Sequence, residues 1–327
     1  MPSVLPMEAT NLTAIINNIE HPCQDSGEQI ASRSRQLYEA AKQKAWNAAR
    51  DLEWPAMLPI DKFPVTREGN PLAGFEPFEQ LPPDIRRQIA WQQHALEIND
   101  ILHGEQAALL LAAQLVNSLP DGQGKLFASS QVADEARHVE FFARYMQVLN
   151  RSCPDCQVQP PTRALALLIN DALIDPRWEM KLINCQILIE SLALSRFQEL
   201  RRSTRIPVLR AALKLILRDE ARHTHFGITE LRDCMREVPE VSRQQYGQHV
   251  LDQTVQLIHG DTPVAGLATR HGWDSRALQQ HLRRYRLSRI DVVRSRLQQL
   301  HDNMRDAGLL TDTTLQRLMR LGLRQAA

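Results

Sequence analysis

Glycine is scarce in this chain, 13 residues of 327, and aromatic residues make up only 5% of it. Few glycines, and 18 prolines without a repeating register, exclude collagen-like and low-complexity architectures. Long apolar runs are missing as well. The longest in the middle of the chain, Ala107–Ala113, falls far short of the ~20 residues that a membrane-spanning helix needs. The start, MPSVLPMEATNLTAII, lacks a basic stretch followed by an apolar core and a small-residue cleavage site, so no secretory signal is expected. Five cysteines, an odd count in a chain able to bury a full core, point to a reducing cytoplasm and away from a disulfide framework. Alternating Val/Ile/Thr/aromatic runs bounded by Asn-Gly or Asp-Gly are also absent, which excludes an all-β fold.

What is present is helical pattern. The chain is 43% hydrophobic and 24% charged, with long stretches rich in Ala, Leu, Gln, Arg and Glu. Residues 1–27 read as irregular. A leading helix is predicted over Glu28–Asp51, followed by a Pro/Gly-rich connector. Pro82-Pro83 opens a helix running to about Leu119, with Pro at the favoured first position. The turn Pro120-Asp121-Gly122 leads into a second helix over Gln123–Asn150. A crossover, Arg151–Pro176, holds a short helix near Arg163–Ala172. A third helix covers Arg177–Arg202 and a fourth runs from Pro207 to about Arg236. Further helices are predicted after Pro239, Pro263, Asp274 and Asp312. Short, long, short connections define an all-α, four-helix bundle with one long crossover and added N- and C-terminal helices. The bundle with its leading helix is assigned to 28–261, and an arginine-rich helical extension, 262–327, packs on the same domain.

Carboxylates occupy the apolar stripes of all four central helices. Glu105 lies among Ile98, Ile101, Leu109, Ala112 and Val116, and Glu190 among Ile183, Ile187, Leu194 and Phe197. Glu135 and His138 are in register with Ala128, Val132, Phe142 and Met146, and Glu220 and His223 with Leu213, Ile216 and Leu231. Residues three apart share a helix face, so each Glu-x-x-His directs a carboxylate and an imidazole to one point. A single such motif arises often by chance. Here Asp134-Glu135-Ala136-Arg137-His138 recurs as Asp219-Glu220-Ala221-Arg222-His223 85 residues later, and each copy follows an in-face Glu by 30 residues. A pair of exposed salt-bridging motifs accounts for neither the doubled spacing nor the apolar flanks. Unpaired buried carboxylates cost several kcal/mol each or take up a proton. Two divalent cations neutralise four of them. One Glu from each of two helices, with Glu-x-x-His from each of the other two, is the known di-iron carboxylate ligand set of helical bundles.

On these motifs the chain, over about residues 83–236, resembles the ferritin-like di-iron carboxylate superfamily of oxygenase type. The Asp-Glu-x-Arg-His form is similar to that of bacterial multicomponent monooxygenase hydroxylases and of acyl-carrier-protein desaturases. The segment Leu37–Trp54 resembles the lead-in to the bundle in small oxygenase-like relatives. The resemblance implies Glu105, Glu135 and His138 on one iron and Glu190, Glu220 and His223 on the other, with bridging carboxylates, manganese as an alternative metal, and O2 as co-substrate. Asp134 and Asp219 would then each accept the remaining imidazole N–H of a ligand histidine, and Arg137 and Arg222 would hold those aspartates. Leu109, Ala112, Phe142, Ile187, Leu194 and Phe197 are candidate substrate-pocket residues, although plain core packing explains each of them equally well.

Departures from family patterns narrow the activity. Phe142 stands where radical-generating reductase subunits carry Tyr. Ile216 stands where arylamine N-oxygenases add a third His, which weakens that assignment. Leu194 stands where multicomponent monooxygenases carry Thr, with Ser191 and Ser195 beside it. The activity expected is O2-dependent hydroxylation or related oxidation of an organic substrate, with electrons from a ferredoxin or reductase. A desaturase of carrier-bound acyl chains, an N-oxygenase and an iron-storage bundle are the alternatives.

Smaller signals remain. Cys153-Pro-Asp-Cys156 is half a zinc site without a second half, so a local thiol pair or plain loop cysteines are the choices. His225 and His103 fall off the ligand faces. Net charge is only +1, which argues against nucleic-acid binding. It is uneven, however: residues 262–327 hold 12 Arg, no Lys and 5 Asp. Arginines at helical spacing are commonly a solvated face. The functional alternative is docking of an acidic carrier protein, a CoA-type substrate or an acidic ferredoxin at Arg283, Arg284 and Arg286. A homodimer is expected, with no membrane association.

Overall fold

The computed structural model describes residues 33–259 and 265–321. The irregular segment expected over 1–27 and the predicted helix start at Glu28 lie outside the described residues. Among them the helices run in the order α1 (Arg33–Gln43), α2 (Glu76–Glu79), α3 (Pro83–Ser118), α4 (Gly122–Ser152), α5 (Arg163–Ile174), α6 (Trp178–Leu182), a π-helical stretch Ile183–Glu190, α7 (Ser191–Ser203) and α8 (Pro207–Met235). Then follow α9 (Glu240–His259), α10 (Ala265–His271), α11 (Ser275–Ser288), α12 (Ile290–Asp306) and α13 (Asp312–Arg320). No strand forms among the described residues, where Val65 and Thr204 make an isolated bridge. No described helix is long and apolar enough to cross a membrane.

Four long rods make the bundle: α3, α4, the continuous α6–π–α7 rod, and α8. Their starts follow from local chemistry. Pro83 and Pro207 occupy first-turn positions where no N–H is needed. The Asp121 side chain caps α4 by accepting from Gly124 N at 2.7 Å. The tight Leu119–Asp121 link makes α3 and α4 antiparallel partners, and the break after Ser203 does the same for α7 and α8. The crossover between the pairs is fastened to α3, where the Asn99 amide donates to Gln159 O at 2.8 Å and its oxygen accepts from Gln159 N at 2.9 Å. Two apolar clusters fill the bundle. One surrounds Trp91, Phe141, Phe142, Phe197 and Ile216; the other surrounds Phe127, Ile187, Phe226 and Leu231.

Three sequence expectations change. The leading helix stops at Gln43 and does not reach Asp51. Asn47 Oδ1 accepts from Ala49 N and Arg50 N, both at 2.9 Å, a side-chain turn that competes with helix. The pattern after Asp274 divides at Arg289, which leaves helical geometry (φ −109°, ψ 33°) while its guanidinium reaches Glu199 at 2.9 Å. The third rod is not α-helical throughout, because Ile183–Glu190 winds as a π-helix, a form that concentrates at functional positions. Leu109 and Val116 are also only half-buried, with Ala108, Leu111 and Leu115 taking the inward places on α3.

Helix α1 packs across α4 and α8, where Ser34 Oγ donates to Glu230 Oε1 at 2.6 Å. Burial pushes the Glu230 carboxyl up to about 7. A carboxyl raised on folding contributes stability below its ordinary value of 4.5, and that contribution is lost as pH rises towards 7. Thermal melts of Glu230→Gln against wild type should therefore coincide near pH 4 and separate, with the variant more stable, above about pH 7.

Candidate metal centre

Six buried side chains meet at the middle of the bundle. Glu105 comes from α3, Glu135 and His138 from α4, Glu190 from the end of the π-helix, and Glu220 and His223 from α8; each is at most 5% exposed. They form two overlapping groups of four. One is Glu105, Glu135, His138 and Glu220; the other is Glu135, Glu190, Glu220 and His223, with donor atoms in each group within 4.8 Å of one another. Glu135 and Glu220 belong to both groups, the places of bridging carboxylates, and Glu105 and Glu190 each belong to one.

The imidazoles test whether this donor set fits metal. His138 Nδ1 lies 3.2 Å from Glu105 Oε2, 3.2 Å from Glu135 Oε2 and 3.1 Å from Glu220 Oε1. Its Nε2 lies 3.4 Å from Asp219 Oδ2. His223 repeats the pattern, with Nδ1 at 3.0 Å from Glu135 Oε1 and 3.3 Å from Glu220 Oε2, and Nε2 at 3.2 Å from Asp134 Oδ2. A neutral ring that donates Nε2–H to an aspartate turns an Nδ1 lone pair onto two or three carboxylates, an arrangement that needs added positive charge, from a metal or from protons. Glu220 Oε1, completely buried, has His138 Nδ1 at 3.1 Å but no hydrogen bond of acceptable geometry. Protons are the only other source of positive charge. Burial pushes the Glu105 carboxyl up to about 8 and raises Glu190 well above its ordinary range, with Glu135 and Glu220 adding to both. Burial would keep both histidines neutral, but the carboxylates around them hold both well above the ordinary imidazole value. The residues present fit a pair of divalent cations.

The aspartates cross between the repeats. Asp134, beside Glu135, supports His223 of the other motif, and Asp219 supports His138. Arg222 Nη2 donates to both aspartates, 2.7 Å to Asp219 and 3.1 Å to Asp134, whereas Arg137 pairs with Asp134 alone. Arg218 adds a third guanidinium 3.5 Å from Asp219, so two aspartates against three arginines offset at most one of the four glutamate charges, and the rest has to be met at the centre itself.

Four contributors were not picked out from the sequence. Trp46 stacks on His138 with centroids 6.2 Å apart and donates its indole N–H to Asp219 at 2.7 Å. Gln131 donates to Glu135 at 3.1 Å and Glu190 at 2.9 Å, and accepts from Gln186 at 3.0 Å. Cys185 Sγ approaches Glu190 Oε1 at 3.7 Å. Trp46 lies in an irregular segment without periodicity, although within the Leu37–Trp54 stretch already singled out. Gln131 does stand one turn before Glu135 on its face, a polar residue in an apolar register that offered a signal.

Of the candidate pocket residues, Ala112, Phe142, Ile187 and Phe197 are buried, with Phe142 stacked on Phe197 at 6.0 Å, while Leu109 and Leu194 are half-buried. Cys153 and Cys156 are free thiols with sulfurs 3.1 Å apart. His225 meets Arg33 and His103 meets Gln159, both away from the ligands.

Fold and donor set together define a di-iron carboxylate oxygenase, an O2-dependent oxidoreductase. Residues 28–307 match the family described as P-aminobenzoate N-oxygenase AurF, and the chain belongs to that family. Among solved structures it is similar to variants of an R2-like ligand-binding oxidase. One carries an aerobically reconstituted Mn/Fe cofactor, with 20% identity, a TM-score of 0.58, and coverage of 86% of this chain and 96% of that one. Another, with an anaerobically reconstituted Mn/Fe cofactor, shows 19% identity and a TM-score of 0.57, covering 86% and 95%. Among curated proteins none matches the chain.

Shared and unshared carboxylates give different expectations. Glu135→Ala or Glu220→Ala should cost both metals, and Glu105→Ala or Glu190→Ala chiefly one, read by metal analysis after ferrous loading of folded protein. Because protons occupy the metal-free centre, apparent metal affinity should climb as pH rises to at least about 8, where Glu105 deprotonates. A flat pH profile in a binding titration would contradict the assignment.

Proposed function

We propose that Glu105, Glu135, His138, Glu190, Glu220 and His223 hold the metal pair, and that the enzyme inserts oxygen from O2 into an organic substrate. The observation carrying this reading is the pair of buried four-donor groups sharing Glu135 and Glu220. When bound, such a pair supplies two-electron reduction of O2 and an oxidant for a C–H or N–H bond. The residues of the chain bind, orient and exclude water. Asp134 and Asp219 fix the imidazole tautomers, Arg222 locks the two aspartates to one another, and Trp46 braces Asp219. Phe142, Phe197, Ile187 and Ala112, all buried on the helices that carry the ligands, are the apolar side chains offered as the lining of a substrate site.

Inserting one oxygen atom into a substrate and releasing the other as water takes two electrons and two protons beyond those of the substrate. The enzyme therefore works with an external electron donor. A ferredoxin or reductase with an acidic face suits the exposed Arg283 and Arg284 on α11. Access is best supported at a cleft of about 410 Å³ between α3, α7 and the α11–α12 pair. There Arg289 and Arg296 converge on the single carboxylate of Glu199, and Arg196 faces Glu97 at 3.6 Å. Arg196 in its lining lies six residues beyond Glu190, about 9 Å along the rod, which favours this cleft as the approach to that carboxylate.

Family membership makes an aromatic amine the first substrate to test, with N-oxygenation as the reaction. Ile216, fully buried among apolar side chains, offers no additional metal donor on α8 one turn before Glu220, which keeps C-hydroxylation as the second reading. Reduced, iron-loaded protein should be given 4-aminobenzoate and isotopically labelled O2, with products resolved by mass spectrometry. Label on nitrogen supports N-oxygenation and label on carbon supports hydroxylation. O2 uptake with no label in product from any organic compound tested would contradict the oxygenase reading and favour iron handling. Glu190→Ala should abolish incorporation.

A further inference from the structure

At their unshared glutamates the two halves of the centre differ. Glu105 meets only the groups of the centre itself, with Oε2 facing His138. Glu190 Oε1, which faces His223 Nδ1 at 3.7 Å, also accepts from Gln131 Nε2 at 2.9 Å and has the Cys185 thiol at 3.7 Å. Gln131 is fully buried and held at its other end, where its oxygen accepts from Gln186 Nε2 at 3.0 Å.

This arrangement depends on backbone features that serve no other visible purpose. In the π-helix the wider turn brings both Cys185 and Gln186 beneath Glu190, and Ser191 Oγ bonds back to Gln186 O at 3.0 Å. Gln186 fits against α8 only because residue 227 is glycine. A Cβ there would stand 2.3 Å from Gln186 Cβ and 2.5 Å from its Cγ. A glycine on α8, a π-helix in the third rod and a buried glutamine on α4 thus converge on Glu190, and the same amide also donates to the shared Glu135 at 3.1 Å.

A carboxylate oxygen engaged by an amide N–H is a poorer metal donor than its free twin, and its side chain resists the rotation that would bring both oxygens to the metal. We infer that Gln131 is a positioning residue which restricts Glu190 to one-oxygen binding and so keeps a place on the metal beside His223 for a small exogenous ligand. This inference rests on the two-metal reading and deepens it by making the halves unequal.

Azide, a small anion that binds oxidised iron at places the protein leaves vacant, is the probe. Wild type and Gln131→Leu are loaded with iron, oxidised, checked for two metals per chain and an unchanged melting profile, and titrated with azide by visible absorption. The leucine variant is expected to retain both metals and to bind azide about tenfold more weakly, or not at all. Gln186→Leu, which leaves the Gln131 amide in place but unbraced, should show a smaller loss, and it carries the test if Gln131→Leu does not fold. Unchanged azide affinity in the variants overturns the inference. Loss of azide binding that merely follows loss of a metal also overturns it, because Gln131 would then be needed to hold the metal. Wild-type protein that takes up no metal pair would overturn the underlying two-metal reading instead, so the two failures are distinguishable.

Discussion

Charge buried inside an apolar bundle is the constraint on which the rest of the structure depends. Four glutamates and two imidazoles, all nearly or completely buried, converge on a space a few ångströms across. In a medium that cannot solvate them, such groups must be neutralised in place. Protons achieve this at the cost of perturbing almost every group in the centre. Two divalent cations do so while also satisfying the imidazole lone pairs and the orphaned oxygen of Glu220. The surrounding aspartates and arginines leave at most one positive charge over, so most of that demand stands.

From this follows the division of labour among the helices. Each Asp-Glu-x-Arg-His motif gives its Glu and His to the centre and its Asp to the histidine of the other motif, so α4 and α8 brace each other across the bundle axis. Arg222, bonded to both aspartates, ties the two halves together. The irregular segment after α1 contributes Trp46 to the same network, which gives a reason for that segment to lie against the bundle. On the other flank the added C-terminal helices bring Arg289 and Arg296 onto Glu199 of α7, forming one side of a cleft against α3 and α7.

Much of this was legible in the sequence, because it depends on spacing. The bundle, its crossover and the six inward side chains follow from helical periodicity and from the repeated motif preceded at equal distance by a glutamate. Pro83, Asp121 and Pro207 marked helix starts by local chemistry. Features set by tertiary contact were not legible. Nothing in INCQILIE distinguishes a π-helix from an α-helix, and its value appears only when Gln186 meets Gly227. The crossed pairing of Asp134 with His223 needs two helices side by side. Leu109 and Val116 looked inward on a straight-helix projection, yet Ala108, Leu111 and Leu115 take the buried positions beside Ala112. The stop at Gln43 was written in Asn47 and Asp51, whose turn chemistry was outweighed in reading by the helix formers on both sides.

The central claim, that this buried charge exists to hold two metals, is tested most directly by anomalous diffraction from crystals grown with ferrous iron. The account requires two peaks, one beside Nδ1 of His138 and one beside Nδ1 of His223, with density from Glu135 and Glu220 reaching both. A single peak, peaks elsewhere on the chain, or an empty centre in iron-saturated crystals with the carboxylates protonated would contradict it.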